Sequence, residues 1–268
     1  MKTVVITGSA QGLGLEMAKV FKKNNYNVVI SDLNEDNLKV AEQKLHEIKS
    51  KSEISYCICD ITKTDNIIDL INFAKEKYGV IDIWVNNAGI NQPNKPIWEL
   101  EDSAINLLFE VDLKGTILCS KYIMKEMIKQ KKGAIYNVEG YGSNDAKMLG
   151  LSIYGTAKRG VTYFTEALAK ECEETNNGII VGKLSPGIMI TNFITNALKD
   201  KEKIKLDERT KKVYNILGDY PNVVANYLVT EMIINKKNNV RINWLSNTKA
   251  AWRFITSPFN KRDFFKED

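Results

Sequence analysis

Short apolar runs and longer amphipathic stretches alternate along most of this chain. Compact apolar segments fall at residues 2–7, 27–31, 54–58, 81–85, 134–138, 179–184 and 240–242. Helical periodicity occupies the stretch after the first glycine turn to about residue 23, then 35–49, 64–78, 103–129, a segment from about 153 to 174, and 222–234. Runs that are apolar on both faces, separated by helices of about 10–15 residues, predict a parallel sheet covered by helices on each side. The stretch 103–129 reads as one long helix, straight or bent.

Several polar residues fall at the carboxyl ends of these strands, where open parallel sheets bind their ligands. The first strand runs into Gly8-Ser9-Ala10-Gln11-Gly12-Leu13-Gly14. Glycines there permit a tight turn and close backbone approach, and the following helix presents free amides to a phosphate, so strand, turn and helix form a dinucleotide cradle. The second strand ends at Asp32, placed to accept both hydroxyls of an adenosine ribose or, alternatively, to cap the helix beginning near Glu35. No lysine or arginine lies in the turn or directly after Asp32, which predicts NAD in preference to NADP. Asp60 with Ile61 closes the third strand beside the expected adenine, and Asn86-Asn87-Ala88-Gly89 closes the fourth, its small residues admitting a flat ring. Pro186 and Gly187 stop the sixth strand and bring Thr191 to a carboxamide.

Tyr154 and Lys158 lie four residues apart, one turn on the same face of a helix. A phenol beside an ammonium is drawn toward its ionised form and suits reversible proton transfer, with Ser143 as a second donor to the same oxygen. The bland alternative is a half-buried aromatic with a snorkelling lysine. Asp112, flanked by Val111 and Leu113, is either a solvated polar residue or an inward-facing functional one.

Composition narrows the field. Hydrophobic residues make up 44% of the 268, as in an ordinary globular protein, and no Pro/Gly/Ser-rich linker divides the chain, so residues 1–268 are expected to form one domain. Residues 192–217 read as a lysine-rich helical cover whose Phe193, Ile194, Ala197, Leu198, Val213, Tyr214 and Leu217 either line a substrate pocket or pack a lid. Residues 243–268 form an aromatic tail that docks on the domain or on a partner subunit. A net charge of +5 spread along the chain, without aromatic interleaving, argues against nucleic-acid binding. Four cysteines without metal-ligand spacing and a single histidine, His46, exclude a zinc site and point to reduced thiols. With no membrane-spanning run and a first strand beginning at residue 2 or 3, a cytoplasmic protein is expected.

Taken together, Thr7-Gly8-x-x-x-Gly12-x-Gly14, Asp32, Asp60, Asn86-Asn87-Ala88-Gly89, Ser143, Tyr154-x-x-x-Lys158 and Pro186-Gly187 resemble the classical short-chain dehydrogenase/reductase family over roughly residues 1–195. The resemblance implies a single Rossmann-type domain with a seven-stranded parallel sheet, a homodimer or homotetramer, and hydride transfer between NAD(H) or NADP(H) and an alcohol/carbonyl pair. It implies Tyr154 as acid/base, Lys158 holding the nicotinamide ribose and lowering the phenol's pKa, and Ser143 orienting the substrate oxygen. Most members place that serine about 13 residues before the tyrosine; Ser143 lies 11 before it. The segment 137–143 and its neighbours look similar to the sub-branch of chlorophyll b reductases, whose serine is also displaced. Asp112 stands where the family usually has an asparagine that anchors a relay water.

The richness in Lys, Asn and Ile fits an AT-rich bacterium. Trp98, Tyr141 and Met148 near the expected pocket point to a bulky apolar alcohol or ketone, a hydroxysteroid among them. The competing reading is an NAD-sensing or scaffold protein that keeps the fold without turnover.

Overall fold

In a computed structural model that describes residues 1–190, 208–260 and 262–265, the apolar runs form one seven-stranded sheet. Its strands are β1 (Thr3–Thr7), β2 (Asn27–Asp32), β3 (Ile54–Ile58), β4 (Ile83–Asn86), β5 (Gly133–Val138), β6 (Ile179–Ser185) and β7 (Val240–Asn243). The order is β3-β2-β1-β4-β5-β6-β7 and every pairing is parallel. This is the single α/β Rossmann-type fold that the sequence pattern predicts.

The helices are α1 (Gly12–Lys23), α2 (Glu35–His46), α3 (Thr64–Tyr78), α4 (Asp102–Leu108), α5 (Thr116–Gln130), α6 (Ser152–Glu174), α7 (Glu208–Leu217), α8 (Pro221–Ile234) and α9 (Asn247–Thr256). Alternating side chains of the central strands feed two cores. Val4, Ile6, Val28 and Ile30 pack with α1, α2 and α8, while Val5, Val29, Trp84 and Ile135 pack with α3, α5 and α6. Local chemistry fixes where the helices start and stop. Asn34, not Asp32, caps α2 by accepting from the Asn37 amide at 2.8 Å. Gly79, with φ at +79°, ends α3 in a backbone form that few other residues adopt. Pro221 opens α8, where its missing N–H costs nothing.

Strand order reverses between β1 and β4, and the crevice at their carboxyl ends is where such sheets take a ligand. Two helical features shape that end. The predicted long helix is interrupted by a π-helical stretch, Phe109–Gly115, which carries the fully buried Asp112. The tail contains α9 and docks on its own domain: the buried carboxylate of Asp219 receives the Trp244 indole at 2.7 Å, Arg253 at 2.6 Å and Arg262 at 3.2 Å. Among the described residues no helix is long and apolar enough to cross a membrane.

Candidate active site

The cradle is built by steric exclusion. Gly8 (φ +61°) presses on the β4 turn so closely that a β-carbon there would lie 2.5 Å from Ala88 Cα. A β-carbon on Gly14 would lie 2.5 Å from the Gly8 carbonyl and 2.6 Å from Asn87 Nδ2. Asn87 ties the two turns together, donating to the carbonyls of Thr7 at 3.0 Å and Gly8 at 2.7 Å. The Thr7 hydroxyl accepts the amides of Asn87 and Ala88, both at 3.1 Å. Ser9 is likewise a structural member, its hydroxyl donating to the Ile6 carbonyl at 2.6 Å and accepting the Ser31 amide at 2.9 Å. At the mouth, by contrast, Gly12 (φ +59°) would place a β-carbon in open space, and no side chain caps α1 at Gln11. A glycine turn that excludes side chains below and leaves an uncapped helix N-terminus above suits a dinucleotide pyrophosphate.

Further along the sheet edge, both carboxylate oxygens of Asp32 contact its own loops, receiving the Leu33 amide at 2.9 Å and the Ala10 amide at 3.3 Å. Asp60 folds onto Thr62, accepting its amide at 2.9 Å and hydroxyl at 2.7 Å, and the neighbouring Ile61 is buried. Pro186 is buried and Gly187 turns the chain at φ +71°. Thr191 and the lid residues Phe193, Ile194, Ala197 and Leu198 lie outside the described residues.

Across the crevice, α6 brings Tyr154 and Lys158 together, the ammonium 5.6 Å from the ring centroid. Asp112 completes the group: its Oδ2 lies 2.9 Å from Lys158 Nζ and its Oδ1 accepts the Ile90 amide at 2.7 Å. Gly89 sits over this pair, with room for little else, since a β-carbon there would be 3.1 Å from Asp112 Oδ2 and 3.3 Å from Lys158 Nζ. Asp112 is therefore the inward-facing residue of the two readings, and it serves as a counter-ion to Lys158.

This pairing corrects the expected electrostatics of the phenol. Burial raises the Tyr154 pKa, Lys158 pulls it down and Asp112 pushes it up again, so it stands above its ordinary value and not below it. Burial pulls Lys158 down, but Tyr154 and Asp112 outweigh that and keep the ammonium charged. At neutral pH the site holds a protonated phenol, ready to donate.

Ser143 differs from its expected use. Its buried hydroxyl donates to the Lys158 carbonyl at 3.3 Å and accepts the Gly140 amide at 3.2 Å, so its one donor is engaged with the backbone of α6. The loop residue packed on the Tyr154 hydroxyl is Gly140, where a β-carbon would overlap that oxygen. Counting residues back from the tyrosine reaches Tyr141, whose hydroxyl donates instead to the Lys147 carbonyl at 3.1 Å.

Gln92 was invisible in the sequence. Its Oε1 accepts the amides of Ile153 at 3.0 Å and Tyr154 at 2.9 Å, closing the amino end of α6. Only its place, three residues beyond Gly89 on a strand-end loop, hinted at it. A second internal network fixes the sheet beneath the site: Asn86 receives the Trp84 indole at 2.7 Å and donates to Asn137 at 2.8 Å and Ser120 at 2.9 Å.

The profile of the family described as short chain dehydrogenase matches residues 2–202. This chain belongs to that family. Its members are NAD(P)-dependent oxidoreductases, and the chain is classed with them. It is 30% identical to a probable chlorophyll(ide) b reductase of Oryza sativa subsp. japonica, over 100% of this chain and 54% of the relative. A second chlorophyll(ide) b reductase of the same organism is 33% identical over 94% of this chain and 74% of its own length. The chain thus spans about half the length of the first of these relatives. Among solved structures, ElxO with NADP bound superposes with a TM-score of 0.76 at 27% identity, covering 90% of this chain and 97% of that one.

That last similarity overturns the expected preference for NAD over NADP. The expectation rested on the lack of a lysine or arginine in the glycine turn or directly after Asp32, and the NADP-bound relative outweighs it. NADP stands on at least an equal footing with NAD.

Proposed function

We propose that this protein interconverts a secondary alcohol and a ketone using NAD(P)(H), with a bulky apolar substrate of which a hydroxysteroid is one example. The observation that carries the reading is the buried group of Tyr154, Lys158 and Asp112, facing a glycine cradle at the switch point of the sheet. Gly8, Gly12, Leu13 and Gly14 with Gln11 would hold the pyrophosphate, Asp32 the adenosine ribose, and Asn87, Ala88 and Gly89 would border the nicotinamide. The cofactor, when bound, supplies or accepts the hydride.

In reduction, Tyr154 gives its proton to the substrate oxygen as negative charge develops there, and takes it back in oxidation. Lys158 stabilises the phenolate left behind, and Asp112 holds that lysine in place. Exclusion of water around the pair strengthens each of these interactions. Exposed apolar side chains on the loops after β4 and β5 favour a large substrate: Trp98 is 80% exposed and Leu149 79% exposed, with Met148 and Tyr141 on the same loop as Leu149. The chlorophyll(ide) b reductases among its relatives, by their names, act on a large pigment, which agrees with that choice.

The test is ketone-dependent oxidation of NADPH and of NADH, followed by absorbance with a steroid 3-ketone, camphor and camphorquinone. Turnover is expected with at least one, and Tyr154→Phe should lower kcat by about 10²–10⁴-fold while cofactor binding persists. Undiminished turnover in the Phe variant would overturn the assignment. Cofactor binding without any turnover would favour the sensing role.

A further inference from the structure

The side chain of Gln92 has two ends in different circumstances. Its oxygen is identified by the two amides that donate to it, those of Ile153 and Tyr154. Its amide nitrogen is buried, in a residue only 7% exposed, and has no hydrogen-bond partner among the described residues. Buried donors are nearly always paired in folded proteins, to protein, ordered water or ligand, so an unpaired one beside a reaction centre is available to a ligand atom. On the described loop after β5 the other candidates for a substrate-facing donor are occupied: Ser143 donates to the Lys158 carbonyl, Tyr141 to the Lys147 carbonyl, and Gly140 has no side chain.

We propose that Gln92 is a substrate-positioning residue whose Nε2 donates to a second oxygen of the substrate, separate from the oxygen protonated by Tyr154. The inference rests on the ketone-reductase reading above and narrows it. The carboxamide meets α6 at the Tyr154 backbone amide and not at the phenol oxygen, so the two donors are assigned different atoms of one ligand. The favoured substrate class is an apolar ketone carrying another carbonyl or hydroxyl a few bonds from the reacting carbon. The carbonyl end of Gln92 meanwhile fixes the first turn of α6, which sets the position of Tyr154. Binding of the correct substrate and placement of the proton donor are therefore coupled through one side chain.

Camphorquinone and camphor form a matched pair, with and without the second oxygen, and comparing variants on both cancels their intrinsic reactivities. In Gln92→Glu the acceptor for the two amides is kept and the donor is lost. The ratio of kcat/KM for camphorquinone to that for camphor is expected to fall at least tenfold from the wild-type ratio, chiefly through KM, with Tm nearly unchanged. Gln92→Leu loses both ends and should also lower kcat on camphor. A purely structural glutamine would leave the ratio in Gln92→Glu within threefold of wild type, and that result overturns the inference. If the wild type reduces neither ketone, the broader reading is what fails for these substrates. The inference is then decided by the ¹⁵N side-chain amide signal of Gln92, assigned by its loss in Gln92→Glu. With NADP⁺ bound, that signal should move on adding camphorquinone and stay with camphor; no movement with either overturns it.

Discussion

The cradle and the proton-transfer group face each other across the same crevice, yet they are specified in opposite ways. The cradle is defined by atoms that are missing: Gly8 and Gly14 work because a single β-carbon would collide with Ala88, the Gly8 carbonyl or Asn87. The proton-transfer group is defined by charges that are present and paired, since buried Lys158 is tolerable only beside Asp112. One region should therefore fail on addition and the other on subtraction. It also follows that the first tolerates almost no substitution at Gly8 and Gly14, whereas the second can be retuned by exchanging polar groups of equal size.

Removing the Asp112 carboxylate should have the largest effect. Asp112→Ala leaves Lys158 buried without its partner and the Ile90 amide without an acceptor. Breaking such a pair from one side costs about 3–5 kcal/mol, to be read as a lower urea midpoint at constant m-value. A loss under about 1 kcal/mol would mean that the pair is not the element holding this region. The cradle's counterpart is Gly8→Ala. Overpacking there, added to a left-handed φ of +61°, should destabilise by about 2–4 kcal/mol, and cofactor affinity should fall with it. If the alanine variant bound NADPH as the wild type does, the contact between the two turns would be looser than its geometry implies.

These two regions also differ in how far the sequence revealed them. The cradle was legible because glycine at Gly8, Gly12 and Gly14 is a backbone statement, and a strand before and a helix after confirm its context. The seven strands were legible for a similar reason, since a run buried on both faces is apolar throughout. The proton-transfer group was only half legible. The spacing of Tyr154 and Lys158 gives their common face, but the π-helical stretch that carries Asp112 inward leaves no mark in hydrophobic periodicity. Ser143 shows the same limit: distance along the chain places a residue near a site without saying which atom its hydroxyl meets. Gln92 and Gly140 reach Tyr154 through tertiary packing alone, and the amide contacts of Asp32 are likewise a tertiary fact. The helix α9 was hidden in a segment read for its aromatics as a tail.

A subtler change sharpens the comparison without removing an atom from the core. Asp112→Asn keeps an acceptor for the Ile90 amide and drops the charge that helps raise the Tyr154 pKa. Reduction requires the protonated phenol, so activity is lost as pH rises through its pKa. With Asp112 neutralised that pKa falls, and the basic limb of kcat/KM for reduction should move to lower pH than in the wild type. Lys158 also loses a group that raises its own pKa, leaving Tyr154 to offset its burial. A limb that stays put or moves upward would mean that Asp112 does not act on the phenol.

The smallest expected effect belongs to Ser143→Ala, and it separates position from role. The hydroxyl accepts the Gly140 amide and donates to the Lys158 carbonyl, linking the loop after β5 to α6. Its loss leaves one buried amide without an acceptor, at a cost of about 1–2 kcal/mol in stability, measurable by urea unfolding. Because the donor is spent on the backbone and does not face the reacting oxygen, kcat should fall less than about tenfold, far short of the 10²–10³-fold expected on removing an oxyanion donor. A loss of that larger size with stability intact would restore Ser143 as the donor to the reacting oxygen. It would also mean that the hydroxyl exchanges its backbone partner for the substrate on binding, so that this side of the site assembles only when substrate arrives.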